Sequence, residues 1–320
     1  MRDELDFIRE FPKPKPQKKS LVIQKNAIMP KFGNDCILKY LFPNANYYFF
    51  KTWNECFPDG NVNLRMLIYN NAWTKFFDAI QEKKYFKKME RELSKILKSG
   101  EIIVPHAEIL FNVLNVLSPI NVKVVIIGQD PYPQTKIING KDIPQAVGFS
   151  FSAPLNYPTP QSLQNIYSNL YKFKHIQNIP KTGCLSTWVM QGCFLLNAAL
   201  TTIKGKRNVH GNIWDEFIDD LLTYLNNNFM NIVFIVWGKD ANDICKYIDP
   251  KKHHIITSSH PSPMGFNKTV KGFSYGYYEK EEDRPQIVYP PFESVDHFGQ
   301  ANEYLKSVGL SPILWDMINH

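Results

Sequence analysis

The chain lacks the features that mark several common enzyme classes. Its five cysteines, Cys36, Cys56, Cys184, Cys193 and Cys245, are scattered, and no two form a C-x-x-C pair. Structural zinc and iron–sulfur ligation therefore lack their usual ligand spacing, and the residues read as reduced thiols of an intracellular protein. The first 30 residues hold no apolar core of the kind a signal peptide needs, and no apolar run reaches membrane-spanning length. That reading makes the protein soluble, with no membrane partner. Also absent are a G-x-x-x-x-G-K-[ST] phosphate loop, a G-x-G-x-x-G fingerprint, an H-E-x-x-H pair and a G-x-S-x-G elbow.

What is present is an ordinary globular composition with a basic balance. Of 320 residues, 44% are apolar and 21% charged, and 37 Lys plus Arg against 30 Asp plus Glu leave a net charge of +7. Such a balance favours a polyanionic partner without demanding one. Residues 1 to 70 differ from the rest. They open on "FPKPKPQKKS", Pro/Lys-rich and expected to be an extended basic tail, with nuclear targeting or a tether to DNA as the sharper alternative. The aromatic "ILKYLFPNANYYFFKTW" that follows is expected to pack on the next domain.

From Asn71 onward the pattern is α/β. "WTKFFDAI" and "ELSKIL" have helical spacing; Leu163, Ile166, Tyr167, Leu170 and Tyr171 mark a helix beginning at Ser162. Trp214, Phe217, Ile218, Leu221, Leu222 and Leu225 mark another. Between them lie short apolar runs in "VKVVIIG", "CFLLNAAL", "NIVFIVWG" and "HHIITSSH". Buried strands alternating with helices predict a central, mainly parallel four-stranded sheet flanked by helices on both faces. Ligands of such sheets bind beyond the carboxyl ends of the strands. There the sequence places Gln129, Asp130 and Tyr132 on a proline-stiffened loop, Asn197 on the second strand and His260 after the fourth. Taken singly, Asn197 could be a strand-end hydrogen-bonding residue and His260 a structural one; the fold would gather them all at one edge. A single carboxylate in the leading motif does not support a two-acid sugar hydrolase.

In order, "GQDPYP", "GFSFS", "PTPQSLQNIY", "GCFLLNAALT", "VFIVWG" and "HPSPMG" resemble the family 1 uracil-DNA glycosylases, as does the ending "HFGQANEYLKSVGLSPILW". The likeness covers residues 71–320, the expected catalytic domain, and leaves 1–70 as an N-terminal extension. It implies a repair enzyme that flips uracil out of single- or double-stranded DNA and hydrolyses its N-glycosidic bond, without metal or cofactor. The matching roles are a cation-stabilising, water-directing carboxylate for Asp130 and a donor to the leaving uracil for His260. Asn197 matches the amide that pairs with the base, Phe151 the ring that stacks on it, and Tyr132 the ring that excludes thymine's methyl. Gln129 joins the substrate site. Pro160 with Ser162, and Pro261 with Ser262, match loops that compress the DNA backbone, while Met264 matches the apolar wedge. A plain helix N-cap is the alternative for Ser162.

The departures are Pro133, where the family often has histidine, a long connection "QTKIINGKDIPQA", and an insertion at 264–296. The first half of that insertion, with Phe266, Lys268, Lys271, Phe273, Tyr275, Tyr277 and Tyr278, is expected to lie beside the wedge and widen the DNA footprint, with a surface insertion of no functional role as the alternative. The acidic "EKEEDRP" is expected to point away. The family likeness further implies a monomer, a replication or repair partner for the extension, and residence in the nucleus, a viral replication site or another DNA-containing compartment. The rival readings are a binding module, since some viral relatives serve in a replication clamp, and a glycosylase of broader base range.

Overall fold

The structure, a computed structural model, describes residues 40–41, 50–155, 157–275 and 281–316. Its centre is a four-stranded, all-parallel sheet of β1 (Val124–Gly128), β2 (Cys193–Asn197), β3 (Val233–Trp237) and β4 (His254–Ser258), in the spatial order β2-β1-β3-β4. Every residue of β1 and β3 is buried. That is why these strands read as continuous apolar runs rather than alternating ones: helices cover both faces, and neither face needs polar side chains.

The helices supply that cover. Lys84–Lys98 (α1) buries Phe86, Met89, Leu93 and Leu97 on one stripe, a helical period with the lysines left on the other side. Gln161–Lys172 (α2) and Gly211–Asn228 (α3) bury the periodic residues the sequence marks, except that Tyr171 is exposed. Trp214 and Phe217 of α3 meet Phe111 edge-on and tilted, with centroids 6.1 and 5.6 Å away, within the range where aromatic pairs attract beyond their area. The core also draws on residues before 71: Trp53, Phe57, Leu64 and Leu67 are buried in it. Two side chains of α1 fix this stretch, Ser94 Oγ accepting from the Val62 N–H and Glu90 Oε1 from the Leu64 N–H, both at 2.9 Å. The basic tail lies outside the described residues, as does most of the aromatic stretch that follows it.

Two segments without an assigned conformation in the sequence reading form hairpins. The long connection pairs Thr135–Ile138 with Lys141–Pro144. In the insertion, Val270–Phe273 (β5) pairs with Gln286–Tyr289 (β6), and the hairpin packs on the short helix Lys239–Ile244 (α4) that follows β3. Phe266, just ahead of the hairpin, and Tyr275, just after its first strand, are partly buried against the core. Phe266 lies against Phe292, Tyr275 donates to Asn242 Oδ1 on α4, and Phe273 lies under the Arg284 guanidinium. A hairpin with so little chain of its own gains most by burying its aromatics against the domain. Lys268 and Lys271 remain exposed; Tyr277 and Tyr278 lie outside the described residues.

Removing the Leu64 side chain tests whether the upstream stretch is integral to the core. Leu64→Ala is expected to lower unfolding free energy by about 2–5 kcal/mol, the usual cost of a buried leucine cavity, measured by urea denaturation. A loss below about 0.5 kcal/mol, typical of surface positions, would place the stretch outside the folding unit.

Candidate active site

The site begins where β1 and β2 end side by side. Gly128 is paired in register with Asn197, and the parallel pairing continues past the strands, with Ala198 and Ala199 N–H donating to the carbonyls of Gly128 and Gln129. A β-carbon at 128 would lie 2.5 Å from Asn197 Oδ1 and 2.9 Å from Ser150 Cβ. Only glycine lets the amide of Asn197 lean across the strand end. Asp130, Tyr132, Phe151 and Asn197 then line one cavity, together with Pro131, Phe149 and Leu195.

Phe151 sits at φ +61°, the left-handed region that a bulky residue rarely adopts. The surroundings hold it there. The neighbouring Ser150 N–H donates to Leu195 of β2 at 3.0 Å, the Tyr132 hydroxyl donates to the Phe151 carbonyl at 3.1 Å, and Trp237 at the end of β3 meets its ring edge-on at 5.5 Å. Strain fixed this firmly at a cavity wall fits a ring set for a ligand. Tyr132 is thereby tied by its hydroxyl to the backbone of Phe151, and burial pushes its phenol far above the usual range.

Asp130 is half-buried. Loss of solvent raises its carboxyl above the ordinary value, while the Asn208 N–H, 2.9 Å from Oδ2, and the nearby Arg207 oppose the rise. Beside it, the Gln129 side-chain nitrogen donates to Asp240 Oδ2 at 2.9 Å.

His260 comes from the loop after β4. The Ser262 N–H donates to its Nδ1 at 2.9 Å, so in the neutral ring the proton resides on Nε2. Burial lowers the imidazole to about 4, with Asp240 opposing weakly. The ring is therefore a neutral N–H donor at physiological pH. It lies 6.0 Å from the Phe151 ring, and Gly238, at φ +86°, leaves just enough room for its Cβ.

The loops assigned to DNA sit on the same edge. Asn165 of α2 donates to the Pro261 carbonyl at 2.7 Å, joining the Pro160–Ser162 turn to the Pro261–Ser262 loop. Met264 is 80% exposed, a notable position for an apolar side chain of a folded protein. The N-cap reading of Ser162 is corrected: Pro160 occupies the N-cap, its carbonyl accepting from the Gln164 N–H at 2.9 Å, and Ser162 is the second helical residue. Proline, with φ already set and no N–H to satisfy, starts the helix without a side-chain cap. Sequence reasoning missed Asn208 and Asp240. The signal for Asp240 was present, an acid three residues beyond the third strand; Asn208 acts through its backbone, which no residue type announces.

The hydrogen bond from Ser262 to Nδ1 predicts that His260 stays neutral with the proton on Nε2 from pH 8 to pH 6. Nitrogen chemical shifts of labelled histidine check this, and an imidazolium at pH 6.5 would contradict it. Gly128→Ala is expected to displace Asn197 and abolish substrate binding in a protein that still folds. Crystallography and binding measurements on that variant report the two effects separately.

Residues 114–279 match the model of the uracil DNA glycosylase superfamily. The chain is 47% identical over 294 residues to a probable uracil-DNA glycosylase of Acanthamoeba polyphaga mimivirus, covering 92% of this chain and 77% of that one. It is 36% identical to the uracil-DNA glycosylase of Francisella philomiragia, over 76% of this chain and 98% of the relative. The crystal structure of mimivirus uracil-DNA glycosylase superposes with a TM-score of 0.83 at 48% identity, covering 88% of this chain and 99% of that one. These likenesses and the site converge: the chain belongs to the uracil-DNA glycosylase superfamily.

Proposed function

We propose that this protein excises uracil from DNA by hydrolysing its N-glycosidic bond, leaving an abasic site for base excision repair. The observation that carries the reading is one cavity in which a carboxylate, a buried ring and a strand-end amide converge, with a neutral imidazole donor beside that ring.

As uracil departs as an anion, the deoxyribose becomes cationic at its anomeric carbon. Asp130 is assigned to stabilise that cation and direct water to it. Its hydrogen bond to the Asn208 N–H favours the charged form that burial disfavours. His260 is assigned to donate through Nε2–H to the developing uracil oxygen. A fixed donor of this kind contributes roughly 3–4 kcal/mol, and a neutral one cannot lose its proton outright to the weakly basic leaving anion. Asn197 offers both a donor and an acceptor to the base edge, Phe151 a stacking face, and Gln129 its free amide oxygen. The Tyr132 ring fills the space a 5-methyl group needs.

Reaching the base requires flipping it from the stack. Pro160, Ser162, Pro261 and Ser262 are assigned to the phosphates on either side, and Met264 to the gap the base leaves. We place the catalytic unit in residues 71–320 with the stretch just upstream packed on it, acting as a monomer. A replication or repair partner for the N-terminal extension, and a DNA-containing compartment, complete the proposal. Among the described residues no helix is long and apolar enough to cross a membrane.

Two measurements test the assignment. Purified protein in EDTA is expected to release uracil from single- and double-stranded DNA, and Asp130→Asn to lower turnover by at least ~10²–10⁴ while still binding DNA. An equally active variant would remove Asp130 from the chemistry. Tyr132→Ala is expected to release thymine, read by chromatography of the freed base; continued rejection of thymine alongside intact uracil release would place methyl exclusion elsewhere.

A further inference from the structure

We propose that Arg207 grips a phosphate of the very nucleotide that is cleaved. The inference rests on the excision reading above and adds a substrate contact to it. Arg207 lies in the loop between Thr202–Ile203 and α3. Backbone bonds lay this loop against the Asp130 motif: the Gly205 N–H donates to the Pro133 carbonyl at 2.9 Å, and the Asn208 N–H to Asp130 Oδ2 at 2.9 Å. Residue 207 is therefore held one peptide away from the carboxylate.

The loop carries three cations, and two are consumed. Lys204 pairs with Asp142 and Lys206 with Glu101. Arg207 is exposed and, among the described residues, makes no hydrogen bond or ion pair. Its field reaches Asp130 and Tyr132, where it opposes the effect of burial. The loop backbone thus holds Arg207 beside Asp130, with its side chain exposed to solvent.

Nucleotide chemistry supplies the rest. Asp130 has to approach the anomeric carbon, and the two phosphates of that nucleotide are only a few bonds away. A long cationic side chain next to Asp130 is within reach of one of them. A phosphate drawn close to a carboxylate also needs a cation to offset their repulsion, and guanidinium binds phosphate oxygens in a planar, bidentate geometry. Lys204 and Lys206 already sit against Asp142 and Glu101, whereas Arg207 has no such partner among the described residues.

Salt dependence of binding to a duplex holding one 2′-fluoro-deoxyuridine, whose electron-poor sugar resists cleavage, tests the proposal. Arg207→Gln is expected to reduce the log–log slope by about 0.9, the value of one duplex phosphate contact, and Arg207→Lys to restore most of it. Uracil release by Arg207→Gln is expected to show a raised KM with a smaller change in kcat. An unchanged slope would overturn the proposal, as would a lysine variant whose slope is as low as that of the glutamine one. So would a fall in kcat matching the fall in kcat/KM, which would mean the residue acts through Asp130 alone. If instead the wild-type protein releases no uracil, the excision reading fails whatever the slopes show.

Discussion

The site depends on the absence of one side chain. At the carboxyl end of β1, Gly128 sits opposite Asn197 in a space where a single added carbon would strike the amide oxygen at 2.5 Å. Because that space stays empty, two parallel strands can end together and deliver their next residues to one cavity: Asp130 and Tyr132 from the first, Asn197 from the second. Phe151 depends on the same junction, since Tyr132 holds its carbonyl and Ser150 is bonded to β2. In the proposed assignment, reading the base and cleaving its bond share a scaffold no wider than two strands.

Around that scaffold, burial and hydrogen bonding work against each other in a controlled way. Burial pushes His260 down to about 4 and Asp130 upward. For the histidine nothing resists strongly, and the Ser262 N–H fixes which nitrogen keeps the proton. For the carboxylate the Asn208 N–H and Arg207 resist, so it remains able to ionise. The outcome is a neutral donor and an ionisable carboxylate at one edge, each set by what packs against it. The insertion hairpin takes part indirectly: Tyr275 holds Asn242 of α4, the helix that also carries Asp240 to Gln129.

Much of this was legible in the residues. The four apolar runs became the four strands of a parallel sheet, most continuously apolar in β1 and β3, which are buried throughout. The helices followed their 3.6-residue period, and the strand-end rule led to Asp130, Asn197 and His260 before any contact was known. The rest was hidden for identifiable reasons. Asn208 contributes a backbone N–H, and Phe151 a left-handed backbone that a Phe codon does not advertise. Phe266 and Tyr275 of the insertion pack on the domain, which sequence does not reveal because it cannot distinguish aromatics turned to solvent from aromatics turned to the domain. Ser162 resembled a cap, but the preceding proline had already taken that position.

The central claim is that the amide held against Gly128 decides which base is cleaved. Asn197→Asp exchanges its donor for an acceptor or an acid group without changing shape. Release of cytosine from DNA by this variant, measured beside uracil release by the wild type, tests the claim most directly. The account predicts that the variant gains cytosine release that the wild type lacks. Undiminished uracil release with no cytosine release would contradict it, and would mean that base choice is made somewhere other than the junction of β1 and β2.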